Sequence, residues 1–84
     1  MKLEILGSGC ANCQKLEAIT KEAVADLAIG DVEVVKVTDM KDIMGYGIMS
    51  TPGLVIDGKV VSSGRVPPKA EVASMITTAL TAQG

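Results

Sequence analysis

The sequence predicts an α/β domain in which a four-stranded mixed sheet lies between helices. Short apolar runs alternate with segments of helical periodicity in the order strand, helix, strand, short helix, two strands, helix. The first strand, helix and second strand form a parallel unit, whereas the last two strands flank Asp57-Gly58, a two-residue signal for an antiparallel hairpin. We therefore expect a minimal βαβ-(α)-ββα arrangement that spans residues 1–84 as a single domain.

The first half of the chain contains the parallel unit. Lys2 to Leu6 is a short apolar-rich run before Gly7-Ser8-Gly9, which predicts a strand that ends in a loop. From Cys13 onward apolar residues recur at steps of three and four until Gly30 supplies a stop, which predicts a helix. Val32 to Thr38 has apolar residues on both faces, so we expect a strand inside the sheet.

The second half contains the hairpin and the closing helix. Asp39 to Gly47 has apolar residues at helical spacing but two glycines, which indicates one or two helical turns. Gly53 to Asp57 and Lys59 to Ser63 are the predicted hairpin strands. Pro67-Pro68 suits a helix start, and it precedes a helical stripe of Val72, Met75, Ile76, Ala79 and Leu80.

Composition and charge exclude several classes of function. The chain has 84 residues, 48% of them hydrophobic, a net charge of −2 and one aromatic residue, Tyr46. It therefore lacks the basic surface and the stacking rings that nucleic-acid binding uses. No apolar run approaches the roughly 20 residues of a membrane-spanning helix, and the amino-terminal run is too short for a signal peptide. We expect a monomeric cytoplasmic protein without a membrane or nucleic-acid partner.

Cys10-Ala11-Asn12-Cys13 lies where a predicted strand has ended and a helix begins. Three interpretations compete for this pair. A structural disulfide across so small a loop contributes only about 2 kcal/mol, and the cytoplasm keeps thiols reduced. A metal carrier or sensor is the second interpretation; a zinc site would need a second molecule or weak carboxylate ligands, because the sequence has no other cysteine and no histidine. Copper(I) needs only two thiolates, so a copper carrier stays open.

Redox catalysis is the third interpretation, and it gives each cysteine a role. At a helix amino terminus, unpaired backbone N–H groups and the helix dipole stabilise an anion, which favours a reactive thiolate on Cys10. The two-residue spacing lets Cys13 attack a mixed disulfide formed on Cys10 and release the reduced substrate. The sequence thus favours Cys10 as the nucleophile and Cys13 as the resolving thiol.

The pattern around these cysteines resembles the thioredoxin and glutaredoxin superfamily. Four features coincide in order: the cysteine pair at a strand-to-helix junction, Thr51-Pro52 before a strand, the Asp-Gly hairpin, and Gly64 before the final helix. The resemblance covers nearly all of the chain and is nearest to the compact redox-active disulfide branch of the superfamily. Thioredoxins usually carry Trp before the first cysteine and Gly-Pro between the pair, whereas this chain has Gly9 and Ala11-Asn12.

The resemblance implies a thioredoxin-like fold and a protein dithiol-disulfide oxidoreductase whose redox group is the Cys10–Cys13 disulfide, with no further cofactor. It implies that Pro52 is cis, lies against the cysteines and leaves the backbone of Thr51 free to pair with substrate, while Ala11 and Asn12 also contact substrate. The implied partners are protein disulfides and an upstream reductant similar to thioredoxin reductase.

Two further hypotheses concern side chains near the site. Thioredoxins carry a buried acid six residues before the nucleophile, and Glu4 stands at that offset, so it is a candidate to relay a proton to Cys13. The alternative is a solvated carboxylate, or a buried one paired with Lys2. Three methionines could form an adaptable contact surface with Tyr46, but methionine more often fills a core, and core filling is the interpretation that we favour for them. The methionines are Met40, Met44 and Met49.

Overall fold

A computed structural model of the chain describes residues 1–7, 9–48 and 50–83. Within these residues four strands and three helices follow one another in the predicted order. They are β1 (Lys2–Leu6), α1 (Ala11–Leu27), β2 (Glu33–Val37), α2 (Met40–Gly45), β3 (Gly53–Ile56), β4 (Lys59–Ser63) and α3 (Lys69–Gln83). None of the helices in this part of the chain combines the length and the apolarity that a membrane crossing requires.

The strands form one mixed sheet in the order β2-β1-β3-β4. Strand β1 pairs parallel with β2 and antiparallel with β3, and β3 pairs antiparallel with β4. The predicted α/β fold with a four-stranded mixed sheet is confirmed. The expectation that Val32 to Thr38 lies inside the sheet is wrong, because β2 is an edge strand. Strand β2 has valines on both of its faces because hydrophobic side chains pack against each face of the sheet. Two neighbouring strands are not needed to explain this pattern.

Helices cover both faces of the sheet, as the sequence predicted. Alternation along β1 places Leu3 and Ile5 on one face, where they pack with residues of α1 and α3 in the larger core. Leu6 lies on the other face and packs with Ile43 of α2 and Val55 of β3. The end of β1 that leads into α1 therefore lies between α1 on one face and α2 on the other.

The ends of α1 differ from the prediction by a few residues. The helix begins at Ala11, with Cys10 as its N-cap, so both cysteines belong to the helix start. It ends at Leu27 instead of continuing to Gly30, because Ala28 adopts a left-handed conformation with φ 53° and donates its N–H to the carbonyl of Ala25. The predicted hairpin turn is confirmed, since Asp57 and Gly58 have φ angles of 48° and 84°.

Candidate active site

Cys10 occupies the amino-terminal cap of α1. Its backbone is extended, with φ −67° and ψ 164°, and its carbonyl accepts the first helical hydrogen bond from Gln14 at 3.0 Å. Its Sγ accepts a hydrogen bond from the backbone N–H of Cys13 at 3.2 Å. A sulfur in this position faces the positive end of the helix dipole and a backbone donor, and both stabilise a thiolate more than a thiol.

The two cysteines form a disulfide and differ in accessibility. Their Cα atoms are 5.1 Å apart, within the usual range for such a bond. Cys10 is exposed, whereas Cys13 is only 5% exposed. An incoming substrate sulfur can therefore reach Cys10, while Cys13 is reached from within the protein.

Gly7, directly after β1, leaves the space that the sulfur of Cys13 occupies. A Cβ at this position would overlap Sγ of Cys13 and would lie 3.9 Å from Cβ of Thr51. The N–H of Gly7 is fixed by a 2.9 Å hydrogen bond to the carbonyl of Val37 at the end of β2. The β1–α1 loop, the sulfur of Cys13 and the side chain of Thr51 thus meet at the buried residue Gly7.

The Thr51–Pro52 peptide bond is cis. Pro52 is buried, and its carbonyl accepts the N–H of Gly64 at 2.9 Å, which ties it to the residue after β4. Thr51 is exposed, and neither its N–H nor its carbonyl is hydrogen-bonded to another residue in the described ranges. An exposed backbone donor and acceptor therefore lie beside the cysteine pair.

A groove of about 300 Å³ continues from Thr51 along α2. Met40 and Met44 are 59% and 68% exposed at this groove, although both are large apolar side chains. Core filling is therefore wrong for these two methionines, while Met49 lies outside the described residues. The groove lining is Met40, Ile43, Met44, Ile48, Ser50 and Thr51.

Glu4 is 8% exposed and faces the α2 side of the sheet, opposite the Ile5 side on which α1 packs. Its carboxylate accepts a hydrogen bond from the hydroxyl of Tyr46, the residue that caps the end of α2. Lys2 Nζ lies 3.6 Å from the other carboxylate oxygen. The sequence predicted this ion pair with Lys2 if Glu4 was buried. The structure does not bring Glu4 into the cavity that Cys13 lines, so the relay stays a prediction.

Tyr46→Phe should lower stability, because the largely buried carboxylate of Glu4 would lose the hydroxyl that satisfies it. The hydrogen bond to Glu4 raises the pKa of Tyr46 above its ordinary value of 10.0. Folding thus favours the protonated phenol. The contribution of this hydrogen bond to the free energy of unfolding is therefore complete below about pH 10 and is lost at higher pH. Urea unfolding of both proteins at pH 7 and above pH 10 measures it. An equal midpoint at pH 7 would contradict the prediction.

Two charged residues near Cys13 were not singled out from the sequence. A cavity of about 90 Å³ is lined by Cys13, Glu17 of α1 and Lys36 of β2, among others. Glu17 follows Cys13 by four residues, so helical spacing alone indicates that the two share a face. Lys36 could not be found in this way, because its position depends on how β2 pairs with β1.

The geometry of the two cysteines permits reversible oxidation of their sulfurs to a disulfide. This chemistry on an α/β fold of this kind is typical of the thiol-disulfide oxidoreductases. A family model described as a thioredoxin domain matches residues 1–77. A thioredoxin of Methanothermobacter thermautotrophicus is 43% identical over 77 residues, which is 92% of this chain and 99% of that protein. A thioredoxin of Methanocaldococcus jannaschii is 37% identical over 70 residues, 83% of this chain and 79% of that protein.

The chain belongs to the thioredoxin family and is a thiol-disulfide oxidoreductase. The family and the function predicted from the sequence are confirmed. The alternative of a copper or zinc carrier gains no support from these relatives.

Proposed function

We propose that Cys10 is the nucleophile and Cys13 the resolving cysteine in the reduction of protein disulfides. The Cys10 thiolate attacks one sulfur of the substrate disulfide, and the other substrate sulfur leaves as a thiolate that takes up a proton. Cys13 then loses its proton and attacks Sγ of Cys10. This step forms the Cys10–Cys13 disulfide and releases the second substrate thiolate. The observation that carries this assignment is the Cys13 N–H donated to the exposed sulfur at the N-cap.

Substrate is positioned by residues on two sides of Cys10. The N–H and carbonyl of Thr51 have no hydrogen-bond partner among the residues that the structure describes, which supports pairing with an extended segment of substrate, and buried Pro52 holds that backbone in place. Ala11 and Asn12 are exposed in the first turn of α1, so they flank any sulfur that approaches Cys10. Small side chains here leave the approach open.

The redox group of the proposed reaction is the cysteine pair itself, so no other cofactor takes part. The chain acts as one monomeric domain in the cytoplasm, where an upstream reductant similar to thioredoxin reductase restores the dithiol. The match to thioredoxins over most of the chain supports these assignments. Glu4 is retained as a candidate proton relay, although its hydrogen bond to Tyr46 favours a role in holding α2.

A single-turnover assay tests the proposal. The reduced protein is mixed with a protein disulfide, and free substrate thiols are counted while the thiolate of Cys10 is titrated by ultraviolet absorbance. We expect two substrate thiols for each dithiol consumed, and a Cys10 thiolate that forms below the ordinary thiol pKa of about 8.5. Metal content after purification is the control. A thiolate titrating near that value without turnover, with one copper or zinc ion bound per dithiol, would overturn the assignment.

The groove beside Thr51 supports a preference for apolar substrate segments. It continues directly from the backbone of Thr51, so the next side chains of a bound segment would enter it. Met40 and Met44 are flexible and polarisable, and such side chains adapt to apolar groups of different shapes. Their high exposure leaves apolar surface that a bound segment would cover.

Replacing Met40 and Met44 together with Gln should raise KM for a protein disulfide severalfold, because the groove would lose apolar contact area with the substrate. Reduction of a small linear disulfide such as bis(2-hydroxyethyl) disulfide should be unchanged, since it does not reach the groove. Leu80→Gln is the matched control, because Leu80 is an exposed apolar residue of α3 outside the groove lining. Equal KM values for all three proteins would contradict the prediction.

A further inference from the structure

The two methionines of the groove beside Thr51 differ in exposure from the other described methionines. Met40 and Met44 are mostly exposed, although each is a large apolar side chain. Met1 and Met75 are half-buried and pack against the larger core. A thioether is oxidised only where the oxidant can reach its sulfur. Among the residues that the structure describes, Met40 and Met44 are therefore the thioethers most accessible to an oxidant in solution.

Met40 and Met44 share one face of α2, because they stand four residues apart. Both line the groove, and the described part of its lining has no charged side chain. In that lining the polar side chains are Ser50 and Thr51, and the rest is two isoleucines and the two methionines. Oxidation of both sulfurs would thus place two strongly polar S–O groups in a largely apolar groove.

Helix α2 is held in place by other side chains. The Asp39 carboxylate caps its start and accepts the N–H of Lys41 at 2.8 Å. Ile43 anchors its middle in the core, and the hydroxyl of Tyr46, just after its end, donates to Glu4. These contacts remain when the methionine sulfurs carry oxygen. Oxidation therefore changes the polarity of the groove and leaves the helix that carries it in place.

We propose that Met40 and Met44 are a reversible oxidation site at which a hydroperoxide lowers the affinity of the groove for protein substrates. The thioether sulfur attacks one peroxide oxygen, so that an S–O bond forms while the O–O bond breaks. The departing hydroxide takes the proton of the transferred hydroxyl and becomes water. The sulfur loses two electrons, and the peroxide gains them. This inference rests on the proposed function, in which the groove binds apolar segments of a protein disulfide.

The sulfoxides outlast the oxidised state of the cysteines. A peroxide also converts the dithiol to the Cys10–Cys13 disulfide, and a dithiol reductant reopens that bond by thiol exchange. A sulfoxide has no S–S bond to exchange, so the same reductant leaves it unchanged. Its removal requires methionine sulfoxide reductases, one for each sulfoxide epimer. The groove therefore keeps a low affinity for protein substrates after the dithiol has been restored.

Peroxide treatment of the disulfide form tests this inference, because the closed Cys10–Cys13 bond protects both cysteines from further oxidation. Hydrogen peroxide is added and then removed, peptide mass spectrometry locates the added oxygen, and KM is measured. We expect sulfoxide at Met40 and Met44 before Met75, together with a severalfold higher KM for a protein disulfide. Turnover of bis(2-hydroxyethyl) disulfide should be unchanged, which distinguishes a modified groove from damaged cysteines. Methionine sulfoxide reductases should restore the original KM.

Replacing Met40 and Met44 together with Leu gives the matched control, because leucine is apolar and has no sulfur to oxidise. The KM of this variant is compared with its own value after peroxide treatment, and the two values should be equal. A severalfold rise in the treated leucine variant would overturn the inference. So would sulfoxide at Met75 as early as at Met40 and Met44, or an unchanged KM once both are oxidised. If the untreated protein reduces neither disulfide, the proposed function itself fails, and that result is separate from any effect of peroxide.

Discussion

Cys10→Ser should abolish disulfide exchange, because a serine hydroxyl at the N-cap is not ionised at neutral pH and cannot form a disulfide. The hydroxyl still accepts the N–H of residue 13, since serine is a favoured capping residue. The helix should therefore remain intact, and the loss should be chemical and not structural. Circular dichroism checks the fold, and the release of substrate thiols should fall to the uncatalysed rate. Residual turnover above that rate would show that Cys13 can attack substrate directly.

Cys13→Ser should have the opposite signature, because the first attack remains possible and the second does not. A covalent adduct between Cys10 and one substrate chain should accumulate, and mass spectrometry under non-reducing conditions should detect it as a stoichiometric species. Cys13 is 5% exposed and Cys10 is exposed, so the reverse adduct on Cys13 of the Cys10→Ser variant should not form at a comparable rate. Equal trapping by both variants would contradict the proposed division of roles.

Much of the fold could be predicted because local patterns agree with the tertiary structure. The hairpin at Asp57-Gly58 needs positive φ angles at both turn residues, and this dipeptide adopts them readily. The start of α1 was also placed nearly correctly, since the cysteine at its cap follows a glycine loop. The end of α1 was predicted less accurately. Helix α1 ends before Gly30, because a left-handed Ala28 closes it first.

The sequence could not predict those features of the site that depend on which face of the sheet a residue occupies. Glu4 has the sequence offset of an acid that serves the cysteines, yet the pleat of β1 turns it toward α2 and Tyr46. A shift of one residue along a strand moves a side chain to the opposite face of the sheet. The number of residues between Glu4 and Cys10, counted across a loop, therefore does not determine the face on which Glu4 lies. Lys36 reaches the Cys13 cavity through the pairing of β2 with β1, in which it lies opposite Ile5.

The exposure of Met40 and Met44 shows a similar limit. Their spacing fits the apolar face of a helix, and methionine usually fills cores. Helix α2 has only six residues and buries Ile43 alone, so its other apolar side chains remain at the surface beside Thr51. A short helix that buries one residue thus leaves its other apolar side chains at the surface.

Gly7→Ala should disturb the packing of the site, because the new methyl group would take the place of the Cys13 sulfur. The backbone of Gly7 has no positive φ angle, so the effect comes from space and not from conformational preference. Overpacking of this kind costs about 1 to 3 kcal/mol of stability. Urea unfolding of the oxidised protein should show the loss.

The same substitution should slow closure of the Cys10–Cys13 disulfide, because Gly7 cannot yield while its N–H is bonded to Val37. Gly30→Ala is the matched control, since a Cβ there meets no atom within 4 Å among the described residues and its φ is ordinary. That variant should unfold at nearly the same urea concentration as the unaltered protein and close the disulfide at the same rate. If Gly7→Ala matched Gly30→Ala in both measurements, the buried sulfur of Cys13 could move freely. The difference in accessibility between Cys10 and Cys13 would then not depend on the packing of Cys13 against Gly7.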